Sequence, residues 1–257
     1  MTAPTEPSKT IKAVELTVRI LETLQELEGA GVTEVAEAVG TSKATAHNHL
    51  RTLENEKLVV RDEDGQYDIG LRVLDIAHYA KSRFPISDIV KEEVDKLADE
   101  SGEMALFTVE EHWKCITLYV AAGKKAIQTP VYVGNREELH NTAVGKAILA
   151  HKAPEEVERY LDEYGLKEVT EDTITDREEF LAELEDVRER GVAYNREEAI
   201  HGLVGIGLPV RRHDGTVVGA LSIIGPESRM DEESLQGEYV DMIKRSANII
   251  EINSTSL

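Results

Sequence analysis

The sequence predicts an α+β chain: an N-terminal winged helix-turn-helix followed by a C-terminal domain built on an antiparallel sheet flanked by helices. Three observations carry this. Three helical stretches precede a short hairpin within about sixty residues, in the order of a winged helix-turn-helix. Beyond residue 85, apolar extended runs alternate with helical periodicity. Most of those runs are joined by short turns, which favours an antiparallel sheet over a parallel one. The division expected is a disordered tail at 1–10, the winged helix-turn-helix at 11–70, a linker helix at 71–84 and a C-terminal domain at 85–257.

The elements follow in order. The tail MTAPTEPSKT is polar, with two prolines. From Ala13 to Leu27, Leu16, Ile20, Leu24 and Leu27 recur at helical spacing, flanked by Val14, Val18 and Leu21. Gly29 and Gly31 close that helix. A short helix is expected over Thr33–Val39 with Thr33 as cap, then a turn at Gly40-Thr41. A third helix is expected over Ser42–Asn55, capped by Ser42, with Ala46, Leu50 and Leu53 facing inward. Two extended segments, Leu58–Arg61 and Gln66–Ile69, flank Asp62-Glu63-Asp64-Gly65, and Asp-Gly between such runs signals a hairpin. The linker helix runs from Leu71 to about Arg83 and stops at Pro85.

In the second half a helix is expected over Ile86–Glu100, then strands over Met104–Val109, Cys115–Ala121 and Ile127–Val133. Helices follow at 142–151, 154–163 and 176–190. Strands return at 192–196, 204–211 and 217–224, the last two joined through Asp214-Gly215. One amphipathic helix closes the chain over 231–252.

Charge complicates a reading as a nucleic-acid binder. The 257 residues hold 50 Asp+Glu against 29 Lys+Arg, a formal charge of −21. Most DNA-binding proteins are basic because DNA is a polyanion. The acidity is uneven, however. Residues 1–61 hold seven basic and nine acidic residues, a net of −2, so nearly all of the excess lies downstream. A pervasive acidic surface fits a protein of a high-salt cytoplasm, kept hydrated by carboxylates. With one cysteine, Cys115, no disulfide framework forms within the chain. No apolar signal core or membrane-length run is present, and a cytoplasmic location is expected.

The chemistry concentrates in two places. The first is the outer face of the third helix, where Ser42, Lys43, Thr45, His47, Asn48, His49 and Arg51 are the expected DNA contacts, with Thr52 beside them. Lys and Arg reach guanine O6/N7 or phosphate, and Asn pairs with adenine N6/N7. No acid interrupts this run before Glu54. At the wing, Asp62, Glu63 and Asp64 oppose phosphate, leaving Arg61 and Gln66 as contact candidates.

The second place is a loop entering a helix at 140–147, facing a strand that alternates Gly205, Gly207 and Pro209 with Val204, Ile206, Leu208 and Val210. Free N–H groups at the helix start favour an anion. Asn141 or Thr142 could equally cap the same donors. The glycines mark close approach of either a ligand or a packed helix.

These residues resemble the IclR (isocitrate lyase regulator) family over nearly the whole chain. In the N-terminal part the resemblance is carried by Lys43-Ala44-Thr45-Ala46-His47 and the wing ending Tyr67-Asp68-Ile69-Gly70. In the C-terminal part it is carried by Leu139-His140-Asn141-Thr142-Ala143-Val144-Gly145-Lys146-Ala147, Gly191-Val192-Ala193-Tyr194-Asn195-Arg196-Glu197-Glu198, Pro209-Val210 and Gly219-Ala220-Leu221-Ser222-Ile223. Asn48 stands where the family usually has Arg.

The resemblance implies a transcription regulator acting as a homodimer or homotetramer on palindromic double-stranded operators. It implies an effector site at Ala143, Val144, Asn195, Gly205, Ser222 and Ile224, to which the helix start adds Thr142 and Gly145, holding a small anionic molecule of carboxylate or sugar-acid type. Asn195 and Ile224 replace an acid and a serine of some members, which points to a different ligand from theirs. Helix 13–27 and the linker helix are the expected oligomerisation surfaces.

No catalytic residue, metal site or cofactor is expected. Cys115 sits in an apolar run, and His112, His140, His201 and His213 lack ligand spacing. Glu197-Glu198 reads as a salt-bridging or turn element. Neither a Walker loop nor a dinucleotide fingerprint is present. The rival reading is an enzyme or sensor whose N-terminal helices dock another protein. Against it stands the acid-free helix face, which such a protein has no reason to keep clear.

Overall fold

The computed structural model describes residues 10–84 and 87–254. The expected tail, Thr10 apart, and the stop at Pro85 lie outside the described residues. The chain divides between Arg83 and Phe84 into two compact units.

In the first unit, α1 (Lys12–Glu26), α2 (Val32–Ala38) and α3 (Lys43–Asn55) precede the hairpin of β1 (Val59–Arg61) and β2 (Tyr67–Ile69). Each helix buries one stripe. Ile20 and Leu24 meet Val35, Ala36 and Val39 of the second helix and its C-cap, and Ala46, Leu50 and Leu53 of the third. Val59 and Tyr67 seal this core from the wing. Tyr67 also exchanges both backbone hydrogen bonds with Ala30, which ties the wing to the loop after α1.

Two details differ from the sequence reading. Leu27 is the C-cap of α1 and is exposed, because the helix ends before the stripe reaches it. The N-cap of α2 is Gly31 rather than Thr33. The Glu34 carboxylate accepts from the Gly31 N–H at 2.8 Å, so an acid one turn in replaces the hydroxyl cap. α4 (Arg72–Ser82) buries none of its side chains, and Leu71, Leu74, Ile76 and Tyr79 are all exposed.

The second unit carries a six-stranded, wholly antiparallel sheet in the order β5-β4-β3-β8-β7-β6. The strands are β3 (Met104–Glu111), β4 (Lys114–Ala122), β5 (Arg136–Glu138), β6 (Ala193–Arg196), β7 (Leu203–Arg211) and β8 (Val217–Pro226). Alternation sorts its two faces. Ala105, Phe107, Ile206, Leu208, Leu221 and Ile223 pack with α5 (Ser87–Ser101) and α10 (Glu238–Ser254). Leu106, Cys115, Ala193 and Ala220 pack with α6 (Ala143–Leu149), α7 (Pro154–Glu163) and α8 (Arg177–Arg190).

The expected strand at 127–133 does not form. The chain there turns, and the edge strand is the short β5, whose charged Arg-Glu-Glu sequence has no apolar alternation to announce it. The last helix is also two: α9 (Glu232–Gln236) and α10 part at Gly237, whose φ of −109° and ψ of −98° fit neither helix.

Candidate functional site

On α3 the Ser42 hydroxyl accepts from the Thr45 N–H at 3.1 Å and also meets the Thr45 hydroxyl, so both side chains are engaged in capping. Lys43, His47 and Arg51 follow at four-residue spacing and form one exposed stripe, with Asn48 beside it. Among the described residues, none of these four side chains has a hydrogen-bond or ion-pair partner within the protein. They are free for an outside partner.

His49 departs from the expectation. Its ring is half-buried and its Nδ1 lies 2.8 Å from the Thr17 hydroxyl of α1, so it fixes α3 onto α1 instead of facing outward. In the wing, the Asp62 carboxylate accepts from the Gln66 N–H at 2.8 Å and closes the turn, and Glu63 and Asp64 stand exposed beside it at the tip. Arg61 lies over the Tyr67 ring, 5.4 Å from its centroid.

In the second unit, a cavity of about 480 Å³, including its mouth, lies on the α6 side of the sheet. Thr142, Ala143 and Val144 line it at the helix start, with Asn195 from β6 and Ser222 and Ile224 from β8. Six of the eight expected effector residues are thereby brought together.

Gly145 and Gly205 are not lining residues. A Cβ on Gly145 would lie 2.1 Å from the Leu139 carbonyl oxygen, so glycine permits close packing there. Its N–H is taken by the Thr142 hydroxyl at 3.1 Å, so the capping reading of this helix start holds for that donor. The Ile224 side chain fills the space beside Gly205, and a Cβ on Gly207 would strike the backbone of Ala143 at 2.5 Å. Gly207 therefore serves packing against α6, and Gly205 makes room for a side chain of β8.

Among these six, the polar side chains are already engaged. The Ser222 hydroxyl donates to the Ile206 carbonyl at 2.7 Å. Asn195 donates to the Asn141 carbonyl and accepts from the Glu198 N–H, both at 3.0 Å.

Sequence reasoning missed Glu137, Ala199 and Ile200, which also line the cavity. Glu137 sits on the unannounced edge strand, and the other two sit in an irregular loop. That loop is held from two sides. Thr170 and Thr173 donate to the carbonyls of Glu197 and Glu198 at 2.9 and 2.7 Å. The Glu198 carboxylate reaches the fully buried Lys146 ammonium of α6 at 2.6 Å, with Glu183 at 3.3 Å. The expected salt-bridging role of Glu198 is thus realised inside the domain.

Cys115 is buried, and burial pushes its thiol up to about 12, far from a nucleophile's thiolate. His201 comes together with Glu171 and Asp172, their ligand atoms within 4.8 Å of one another, a grouping invisible in sequence spacing. All three are exposed, and nothing else at that surface points to a ligand.

The family model described as "IclR helix-turn-helix domain" matches residues 13–63, and "Bacterial transcriptional regulator IclR C-terminal" matches 78–252. The chain belongs to the IclR family of transcriptional regulators. Its IclR relatives include "Probable HTH-type transcriptional regulator ArcR" of Halobacterium salinarum, 31% identical over 250 residues, covering 96% of this chain and 95% of the relative. HTH-type transcriptional regulator KdgR of Escherichia coli is 31% identical over 237 residues, covering 90% and 88%. Among solved structures, the IclR protein of Thermotoga maritima superposes with a TM-score of 0.77 at 29% identity, covering 95% of this chain and 97% of that one. Among the described residues, no helix is long and apolar enough to cross a membrane.

Proposed function

We propose that this IclR-family chain binds palindromic operator DNA through α3, and that a small organic effector in the cavity of the second unit sets its operator affinity. The observation that carries the DNA half is the free, acid-free face of Lys43, His47, Asn48 and Arg51. Exposed donors without internal partners exchange water for base edges and phosphates at little cost to the fold. The effector half rests on the cavity at the family's effector position, lined by Thr142, Ala143, Val144, Asn195, Ser222 and Ile224. We read the ligand as a carboxylate or sugar acid, and the working unit as a homodimer or homotetramer in a cytoplasm of high salt. The protein acts as a regulator and carries out no reaction of its own.

The test is selection of duplexes from a random DNA pool by the full-length protein, followed by gel shifts on the enriched sequence and a scrambled control. Enrichment of a two-fold symmetric site, lost on scrambling, is the expected result. A chain that selects no sequence but captures a protein through residues 11–70 would support the docking-module reading instead.

A further inference from the structure

Glu137 is the one charged side chain lining the cavity, and no Lys, Arg or His lines it. It pairs directly across the sheet with Cys115, so both side chains occupy the same face. That face is the α6 face, because the Cys115 sulfur lies 3.5 Å from the Thr142 hydroxyl at the start of α6. Glu137 is half-buried. Its neighbour Glu138 is neutralised by Lys114, and Arg136 points to the opposite face as the adjacent strand residue. Among the described residues, Glu137 itself has neither a hydrogen-bond donor nor a cation as partner. Burial holds its carboxyl above the usual range, with no interaction opposing the rise.

The contrast within the cavity is what points to a ligand. Thr142, Asn195 and Ser222 are each satisfied by the protein's own groups. Glu137 is left open, and a desolvated carboxylate without a partner is costly. We propose that the effector supplies that partner: a small molecule that places a hydroxyl or ammonium donor on the Glu137 carboxylate within the mainly apolar lining of Leu106, Val131, Val144 and Leu203. This rests on the cavity being the effector site. Within the carboxylate class it selects hydroxylated or amino-substituted members. A simple carboxylate brings a second negative charge into the cavity and no donor.

The probes are hexanoate, its terminal alcohol and its terminal amine, which differ only at the far end. Binding to the full-length protein is measured by thermal shift and calorimetry. The alcohol or the amine should bind about tenfold or more tightly than hexanoate, the margin of one hydrogen bond to a charged group. That margin should collapse in Glu137→Leu, and in Glu137→Gln for the amine. Equal binding of hexanoate, or a margin that survives both substitutions, overturns the proposal. If no probe binds, the unliganded proteins decide. Glu137→Gln melting at or above the wild type is expected of a carboxylate that awaits an outside partner. A lower melting temperature means the protein itself holds the group, and the proposal fails. Operator selection by the unliganded wild type reads the proposed function separately, so the two can fail independently.

Discussion

On α3, Lys43, His47, Asn48 and Arg51 stand in solvent with no partner inside the protein. In the cavity, Thr142, Asn195 and Ser222 each bond to backbone, and the Lys146 ammonium beneath the loop is buried against two carboxylates. The difference follows from water. An exposed polar group is satisfied by solvent and remains available to DNA. A buried one must be satisfied when no ligand is present, or the domain loses stability. Substitutions on α3 should therefore change binding without changing stability, and substitutions around the cavity should change both.

The largest expected effect tests the buried side. Lys146→Ala leaves Glu198 in the interior without its cation, and breaking such a pair costs about 3–5 kcal/mol. Chemical denaturation should show this loss in the transition of the second unit. A stability change within experimental error would mean that the pair is solvated and that the contrast is false.

Asn48→Ala tests the exposed side. Loss of a bidentate base contact should weaken operator binding by about 1–3 kcal/mol. Stability should stay within about 0.5 kcal/mol, as is usual for surface positions. Lys43→Ala should weaken operator and scrambled DNA alike if it meets phosphate. Gel shifts and melting curves on the same preparations check both. Unchanged binding in the two variants would remove α3 as the recognition element.

Ser222→Ala sharpens the comparison from the cavity side. It deletes the hydroxyl that donates to Ile206, which should cost about 0.5–1.5 kcal/mol in melting experiments. A variant as stable as the wild type would place Ser222 with the free residues of α3.

The smallest effect concerns salt. DNA binders lose affinity with salt at a log–log slope of about −0.9 per neutralised phosphate. If the wing approaches DNA, bringing the exposed Glu63 and Asp64 towards phosphate requires cation uptake, which opposes counterion release. Operator affinity over a potassium chloride series should fall less steeply than for a basic wing. Glu63→Gln combined with Asp64→Asn should strengthen low-salt binding and steepen the slope. Asp62 is left in place because its carboxylate closes the turn. A steep wild-type slope that the double change leaves alone would separate the wing from DNA.

Local pattern was enough to read most of the first unit. Ala46, Leu50 and Leu53 at helical spacing, Ser42 before them and Asp64-Gly65 in the hairpin each act within a few residues of themselves, and all appear as expected. In the second unit the alternation of β7 foretold its two faces, and the family motifs foretold six lining residues. The failures have two causes, a contact distant in sequence and a local pattern too weak to read. His49 looks like an outward residue of α3, yet Thr17, thirty-two positions earlier, claims its ring. Glu137 lies on a three-residue strand too short and too charged to show a period.

The sequence alone therefore determined the order of most elements, the acid-free face of α3 and the position of the loop that enters α6, because spacing along the chain sets which residues share a face. Only the tertiary structure decided which polar groups are already engaged. Pairs such as Lys146 with Glu198, Asn195 with Asn141 and Ser222 with Ile206 join residues far apart in the chain. A hydrogen bond depends on distance in space, which spacing along the chain does not encode.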